Sequence, residues 1–387
     1  MLAEKVRPAL FDLGLDDEQE ARARWLHESS IVADLLFQGP FGPSDFTDRM
    51  SQRLKARYEG GQDLKDLALH APLLPVRGAL DGECPEFRDR WQASGITFCN
   101  REVEVSDQNI FATTFGLAQR QFDGFDWMVK ALRAEDVRRA KAEGKVAGLV
   151  STQLGYGPFP DLEVLGAAYD LGLRMSQLTY NSKNTIGVGC TEPTDGGLSD
   201  FGVSVVRRMN ELGIIVDTAH CGRQTTLDAC RLSSAPVMAS HTAAAGVYKH
   251  DRCKSDEELR ALAETGGVVG IVVVPFLLTD AAKPDLLIWL DHVRYVADLV
   301  GAQHVGIGTD WPMQAPSWAL TLFNQAIEGA GFRREHKVDL HSSLGGFESY
   351  ADTPNLTRAL VAGGFSDEET AGILGGNFLR VFEQVCG

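Results

Sequence analysis

Eight short apolar runs recur along the chain, and helical patterns lie between most of them. The runs are rich in β-branched residues and nearly continuous in apolar character, as expected of parallel strands covered on both faces. They are SIVADLL (30–36), GITFCN (95–100), VAGLVST (146–152), LRMSQLTY (173–180), GIIVDTAH (213–220), APVMASH (235–241), GVVGIVVVPF (267–276) and HVGIGTDW (304–311). Strands that alternate with helices predict an α/β fold with a parallel sheet, and eight of them predict closure into a (β/α)8 TIM barrel.

The segments between these runs carry amphipathic patterns typical of helices. The clearest lie at 125–144, 199–213 and 255–267, and the last two begin with serine caps and end at glycine. We interpret the whole chain, 1–387, as one barrel domain with helical decorations. These decorations are an N-terminal helical segment (1–29), an insertion after strand one (38–92) and C-terminal helices (354–386).

Composition and charge disfavour several classes of partner and location. The 387 residues carry a net charge of −16, which disfavours nucleic acid and anionic membrane surfaces as partners. The chain has no apolar run of about 18 residues and no secretory signal pattern at its start. Its seven cysteines are scattered, with no CxxC pair, which indicates reduced thiols. We therefore expect a cytoplasmic protein that acts on a small molecule.

Four of the predicted strands end in a polar or ionisable side chain, where barrel enzymes place their chemistry. These residues are Tyr180, His220, His241 and Asp310. One helix fits between the two histidines, so both rings can point into one mouth. Two imidazoles make half of a tetrahedral Zn²⁺ site, and Asp310 can complete the site or act as general base. The alternative is a pair of buried histidines bonded to backbone, with Asp310 paired to one of them.

A further charged residue, Arg252, lies in the loop that follows the sixth predicted strand, on the same face of the barrel. A guanidinium in this position suits bidentate capture of a substrate carboxylate. The alternative is a salt bridge to the local acidic run Asp256-Glu257-Glu258. No GxGxxG, GxxxxGK[ST] or GxSxG motif is present to indicate nucleotide binding or a serine nucleophile.

Three segments carry a family resemblance. They are DFGVSVVRRMNELGIIVDTAH, APVMASHTAAAGVYKHDRCKSDEELRALAETGGVVGI and DHVRYVADLVGAQHVGIGTDW. The chain resembles the membrane (renal) dipeptidases, peptidase family M19, clearly over residues 146–311 and weakly to the C-terminus. The resemblance implies an amidohydrolase-type barrel, often homodimeric, that hydrolyses dipeptides with two zinc ions and a bridging water. By this resemblance His220 and His241 bind the second metal, Arg252 holds the substrate carboxylate, and Asp310 lies near the water and the substrate amine.

The sequence departs from the family pattern at the remaining positions. Leu36 and Gln38 stand where the first metal's histidine and aspartate are expected. Gln153 replaces a bridging glutamate, and Tyr180 replaces a histidine that contacts substrate. Leucine has no lone pair, and a neutral amide is a poor bridge between two cations. The departures predict either one divalent metal held by the histidine pair, with Zn²⁺ expected, or none.

Together these patterns predict a dipeptidase-like hydrolase that cleaves an amide (or lactone) bond in a small carboxylate-bearing substrate. In this hypothesis Asp310 is the general base, Arg252 anchors the carboxylate, and Tyr180 and Gln153 shape the pocket or polarise a carbonyl. The alternatives are a non-hydrolytic lyase or isomerase on the same barrel, and an inactive homologue that binds a small ligand or a partner protein. Fold alone does not decide among them.

Overall fold

The computed structural model describes residues 9–37, 39, 46–103, 108–153, 161–311 and 315–387. Gln38 lies outside the described residues. The strands of this part of the chain are β1 (Ala33–Asp34), β2 (Phe98–Glu102), β3 (Met128–Lys130), β4 (Val146–Thr152), β5 (Leu173–Gln177), β6 (Ile215–Asp217), β7 (Val237–Thr242), β8 (Val269–Ile271) and β9 (Val305–Ile307). They pair in parallel in the order β1-β2-β4-β5-β6-β7-β8-β9, and β3 pairs separately with β4.

Two backbone hydrogen bonds join the ends of this order. The amide of Leu35 donates to the carbonyl of Ile307, and the amide of Asp310 donates to the carbonyl of Leu36, both at 2.9 Å. The sheet therefore returns on itself as a nearly closed eight-stranded parallel barrel. Each of the eight predicted runs overlaps one barrel strand, so the prediction of a TIM barrel is confirmed.

Helices connect most of the strands, and further helices precede β1 and follow β9 along the chain. They are α1 (Asp17–Ser29), α2 (Asp48–Glu59), α3 (Leu64–His70), α4 (Leu73–Leu80), α5 (Phe87–Ser94), α6 (Gln108–Gly124), α7 (Ala134–Ala142), α8 (Leu162–Asp170), α9 (Asp200–Leu212), α10 (Arg223–Leu232), α11 (Asp256–Glu264), α12 (Pro275–Leu278), α13 (Leu286–Val300), α14 (Ser317–Gln325), α15 (Pro354–Ala362), α16 (Asp367–Ala371) and α17 (Asn377–Cys386). Ser199 and Ser255 cap α9 and α11 as predicted, because each hydroxyl accepts an amide hydrogen bond from the first turn.

The predicted helix at 125–144 is wrong in its first half. Residues Met128–Lys130 form β3, and only Ala134–Ala142 are helical. The amide of Val146 donates to the carbonyl of Trp127, and the amide of Ala131 donates to that of Gly148. Pairing with the edge of β4 therefore replaces the helical hydrogen bonds that the apolar spacing predicted. The predicted strand at 267–276 is also shorter than expected, since α12 begins at Pro275.

The barrel core is sealed at its amino-terminal end by α17. Phe378 and Phe382 of this helix pack with the strand residues that fill the barrel, and Phe378 stacks on Phe98 with ring centroids 5.0 Å apart. Every residue of β4, β5 and β7 is buried, as expected of strands covered on both faces. The carboxyl-terminal end of the barrel is left for polar side chains.

Each of the three predicted decorations contains helices in the part that the structure describes. Helices α2–α5 lie in the insertion, while α1 packs on α15, where Arg358 Nε donates to Glu20 Oε2 at 2.8 Å. The division of the chain as a single domain stays a prediction. Within the described ranges no helix combines the length and the apolar character that crossing a bilayer requires.

Candidate active site

The carboxyl-terminal strand ends and the loops that follow them form the mouth of the barrel. All six residues predicted for the site lie there. They are Gln153 after β4, Tyr180 after β5, His220 after β6, His241 within β7, Arg252 between β7 and α11, and Asp310 after β9. Contacts divide them into two groups. We call Tyr180, His220, His241 and Arg252 the histidine side. We call Gln153 and Asp310, with Asp34 and Glu102, the carboxylate side.

The orientation of the His220 ring is fixed by Asn181. The Asn181 side-chain Nδ2 donates to the carbonyl of Ala330 at 2.9 Å, so its Oδ1 faces His220 Nδ1 at 2.7 Å. An amide oxygen only accepts, so His220 Nδ1 carries the hydrogen and Nε2 presents a lone pair. The ring of Tyr180 stacks on His220, with centroids 4.1 Å apart. Tyr180 therefore covers one face of the His220 imidazole.

His241 is held by a second chain of hydrogen bonds. Ser240 Oγ donates to Asp217 Oδ2 at 2.5 Å, so His241 Nδ1, 2.8 Å from Ser240 Oγ, is the donor to that oxygen. His241 Nε2 then also presents a lone pair, and it lies 2.8 Å from His220 Nε2. Two lone pairs this close repel unless a positive group lies beside them. The arrangement suits one cation at the mouth, with each far ring nitrogen held as in metal-binding histidines.

A cationic group already contacts this pair. Arg252 is 1% exposed, and its guanidinium donates to Ala219 O at 2.5 Å, to His220 Nε2 at 3.0 Å and to His241 O at 3.4 Å. Among the described residues no carboxylate forms an ion pair with it. The alternative salt bridge to the acidic run 256–258 is wrong, because these acids have other partners. Glu258 pairs with Lys254 at 3.1 Å, Glu257 with Arg223, and Asp256 accepts from Tyr295.

The environment keeps both imidazoles neutral. Burial lowers the pKa of His220 and His241 well below the usual value, and the positive charge of Arg252 lowers both further. Neutral imidazole is the form that binds a metal or accepts from a guanidinium. The alternative of two histidines bonded to backbone is wrong for the ring nitrogens, whose contacts are with Asn181, Ser240, Arg252 and each other.

The carboxylate side is built around Glu102, the last residue of β2. Gln153 Nε2 donates to Glu102 Oε2 at 2.9 Å, and the backbone carbonyl of Gln153 accepts from Gln177. Burial, helped by the negative charge of Asp310, raises the pKa of Glu102 to about 7. Glu102 and Asp310 therefore lie close enough for their charges to interact.

Asp34 and Asp310 lie at the seam between the first and last strands. Asp34 accepts from the amide of Thr309 at 2.9 Å and from its hydroxyl at 2.6 Å, and burial raises the Asp34 pKa to about 7. Asp310 has a backbone φ of 54°, a left-handed conformation that few non-glycine residues adopt. Strain of this kind persists where surrounding structure enforces it, and it is common at functional sites.

Comparisons with known proteins identify the family to which the chain belongs. The family model described as membrane dipeptidase (peptidase family M19) matches residues 112–318, more than half of the chain. This chain belongs to the membrane dipeptidase family, M19. It is 27% identical over 384 residues to dipeptidase tcpJ of Claviceps purpurea (strain 20.1), covering 96% of this chain and 78% of that protein.

Further relatives support the M19 assignment. Dipeptidase aclJ of Aspergillus oryzae (strain ATCC 42149 / RIB 40) is 30% identical over 276 residues, which cover 70% of this chain and 59% of that protein. The crystal structure of an amidohydrolase from Pseudomonas aeruginosa superposes with a TM-score of 0.74 at 25% identity, covering 94% of this chain and 99% of that one. The fold is therefore an amidohydrolase-type barrel.

M19 proteins are metallopeptidases, so we asked whether the donors of this member fit a metal. The described residues include no group of three or more His, Cys, Asp or Glu side chains placed to hold a metal ion. Catalytic zinc sites commonly have three protein ligands, and the histidine pair supplies two. The adjacent Arg252 charge opposes a cation at the same nitrogen. The described donors therefore fall short of a dinuclear centre and offer part of a mononuclear one.

Three residues that shape the site in this M19 member were missed in the sequence. Glu102 lies two residues beyond the predicted end of its strand at Asn100, so a longer strand would have included it. Asn181 directly follows Tyr180, and Ser240 directly precedes His241. Adjacency to a predicted site residue is the signal that the sequence offered for both.

Proposed function

We propose that this M19 protein hydrolyses an amide bond in a small, dipeptide-like substrate that carries a free carboxylate. Family membership and the dipeptidase relatives support hydrolysis of such substrates. In this proposal Arg252 binds the carboxylate, Asp310 is the general base, Gln153 and Tyr180 shape the pocket, and His220 and His241 hold at most one divalent metal. Zn²⁺ is the expected ion, because two imidazoles favour it among the available divalent ions.

The observation that carries the proposal is the buried Arg252 guanidinium. A buried charge without a counter-charge is costly, and none of the described carboxylates pairs with it. The described residues engage three of its five N–H donors. A substrate carboxylate would supply the missing negative charge and accept from the remaining donors. Such a contact would fix one end of the substrate beside the histidine pair.

The hydrolytic step places a water between the two sides of the mouth. Asp310 accepts a proton from the water while the water oxygen attacks the carbonyl carbon of the amide. The Tyr180 ring keeps His220 in place, while Gln153 holds Glu102 on the opposite side. A divalent ion bound by the histidine pair would supply Lewis acidity at the scissile carbonyl. The roles of Arg252 and Asp310 do not depend on it.

The experiment compares paired substrates that differ only in the carboxylate. A panel of L,L- and L,D-dipeptides is assayed beside the same peptides with an amidated C-terminus. Loss of a charge-assisted, bidentate contact costs about 2–3 kcal/mol, so we expect kcat/KM to fall roughly 30- to 150-fold on amidation. Arg252→Lys, which keeps the charge and loses the planar fork, should lose most of this discrimination.

Two outcomes would overturn the proposal. One is the absence of hydrolysis of the free peptides by protein purified without chelator, with or without added Zn²⁺. The other is equal turnover of free and amidated peptides by the wild type. The metal content of the same preparation, measured for wild type and for His220→Ala, tests the ligand assignment separately. One metal per chain in the wild type and none in the variant is expected if the pair binds it.

A further inference from the structure

Glu102 brings a carboxylate to a part of the mouth where the family resemblance expects one from a different strand. In the M19 pattern the end of the fourth described strand supplies a glutamate, and this chain has Gln153 there. Glu102 ends β2, whose partner is β4, and pairs in register with Ser151. The two side chains meet, with Gln153 Nε2 donating to Glu102 Oε2 at 2.9 Å. In this chain the carboxylate is therefore supplied by β2 and not by its neighbour β4.

The surroundings of Glu102 differ from those of a structural ion pair. Gln153 donates to it, and no described arginine or lysine forms a salt bridge with it. Its charged neighbours are Arg101, which precedes it, and Asp310 on the same side of the mouth. Arg101 Nε donates instead to Gln121 Oε1 at 3.1 Å. Glu102 is thus a half-buried carboxyl on the same side of the mouth as Asp310, with a neutral amide as its hydrogen-bond donor.

We propose that Glu102 is the general acid of the hydrolysis and acts as a pair with Asp310. This inference rests on the proposed function and names a catalytic residue for it. Two neighbouring carboxyl groups share one proton more readily than they hold two negative charges. Burial disfavours the charged form of Glu102 and raises its pKa to about 7, so Glu102 is the member to which we assign the proton. In this proposal Glu102 enters the reaction protonated below about pH 7, and Asp310 is the member that accepts a proton.

The step balances without a further reactant. Asp310 accepts one proton from water, and the water oxygen forms a bond to the carbonyl carbon. Glu102 donates its proton to the amide nitrogen as the carbon–nitrogen bond breaks. The products are a carboxylic acid and an amine, and transfer of one proton from Asp310 to Glu102 through a second water restores the starting state. Gln153 is a positioning residue, because it holds the Glu102 carboxyl toward the mouth.

The test is the pH profile of peptide hydrolysis in Glu102→Gln, which keeps the shape and removes the acidic proton. Activity that needs protonated Glu102 falls as the pH rises through its pKa, so the wild-type kcat should decline above about pH 7. In Glu102→Gln we expect kcat to fall by roughly 10²- to 10³-fold with KM changed little, and the alkaline decline to disappear. Asp34→Asn, which removes the other buried acid with a pKa of about 7, should keep the alkaline decline.

A second variant tests the pairing in case Glu102→Gln folds poorly. Gln153→Glu places a like charge beside Glu102, which raises its pKa, so the alkaline decline should move to higher pH. Wild-type hydrolysis together with an unchanged profile in Glu102→Gln, or no movement in Gln153→Glu, overturns this inference and leaves the proposed function standing. Absence of wild-type hydrolysis overturns both.

Discussion

The two sides of the mouth differ in how they keep to the pattern of their family. On the histidine side, His220, His241 and Arg252 occupy the positions that the M19 resemblance implies, and Arg252 donates to His220 Nε2, which lies 2.8 Å from His241 Nε2. On the carboxylate side, Leu36 and Gln153 replace expected ligands, and Glu102 brings an acid from β2. The positive and acidic groups are thus separated across the barrel. Most departures from the family pattern therefore lie on the carboxylate side, and Tyr180 is the departure on the histidine side.

The largest effect is expected from Asp310→Asn, which removes the base from the carboxylate side. The amide keeps the size of the side chain and cannot accept the proton of water at neutral pH. We expect kcat to fall about 10³-fold with KM nearly unchanged, measured by steady-state hydrolysis of a dipeptide. Asp298→Asn, on the exposed face of α13, is the control and should match the wild type. A value within fivefold of wild type for Asp310→Asn would exclude it as the base.

On the histidine side, His241→Ala should affect stability as well as activity. It leaves a cavity and removes the ring that donates to Ser240 Oγ. We expect the free energy of unfolding to fall by about 2–4 kcal/mol, measured by urea titration. His304→Ala, which removes a hydrogen bond to Gly267 O away from the mouth, should cost about 1 kcal/mol. Equal losses in both variants would contradict a special role for the pair.

The seam acid Asp34 predicts how stability depends on pH. Its folded-state pKa of about 7 lies above the ordinary value of 3.8, so the folded chain holds a proton that the unfolded chain releases in that interval. Its contribution to stability is therefore present below about pH 4 and lost as the pH rises through 7. Between about pH 5 and pH 7, Asp34→Asn should gain roughly 2 kcal/mol relative to wild type. A pH-independent difference in unfolding free energy would refute this.

The smallest effects are expected from the loss of two helix caps outside the mouth, which should cost the same stability near the histidine side and far from it. Ser255 caps α11 beside the histidine side, and Thr47 caps α2 in the insertion, each by accepting an amide hydrogen bond. We expect Ser255→Ala and Thr47→Ala each to lower the melting temperature by an amount that corresponds to about 1 kcal/mol. Calorimetry would detect this. A much larger loss in one of them would show that the contrast between the sides extends beyond the mouth.

The barrel was predictable from sequence because its strands are covered on both faces and so read as continuous apolar runs. The helical pattern at 125–144 misled for the same reason, since Met128 at the start of β3 and Trp127 just before it are buried as they would be in a helix. Strand ends identified His220 and His241. The contact of Arg252 with His220 depends on how a loop folds back, which no local pattern encodes.

The amide of Asp310 reaches across to the carbonyl of Leu36, so its position depends on residues at the opposite ends of the barrel order. A chain still emerging during synthesis has the first of these residues and lacks the last, so the proposed base cannot yet be in place. If Asp310 is the base, slight loosening between the two strands should stop hydrolysis before the barrel unfolds. Loss of catalysis should therefore be the earliest sign of thermal damage in this protein.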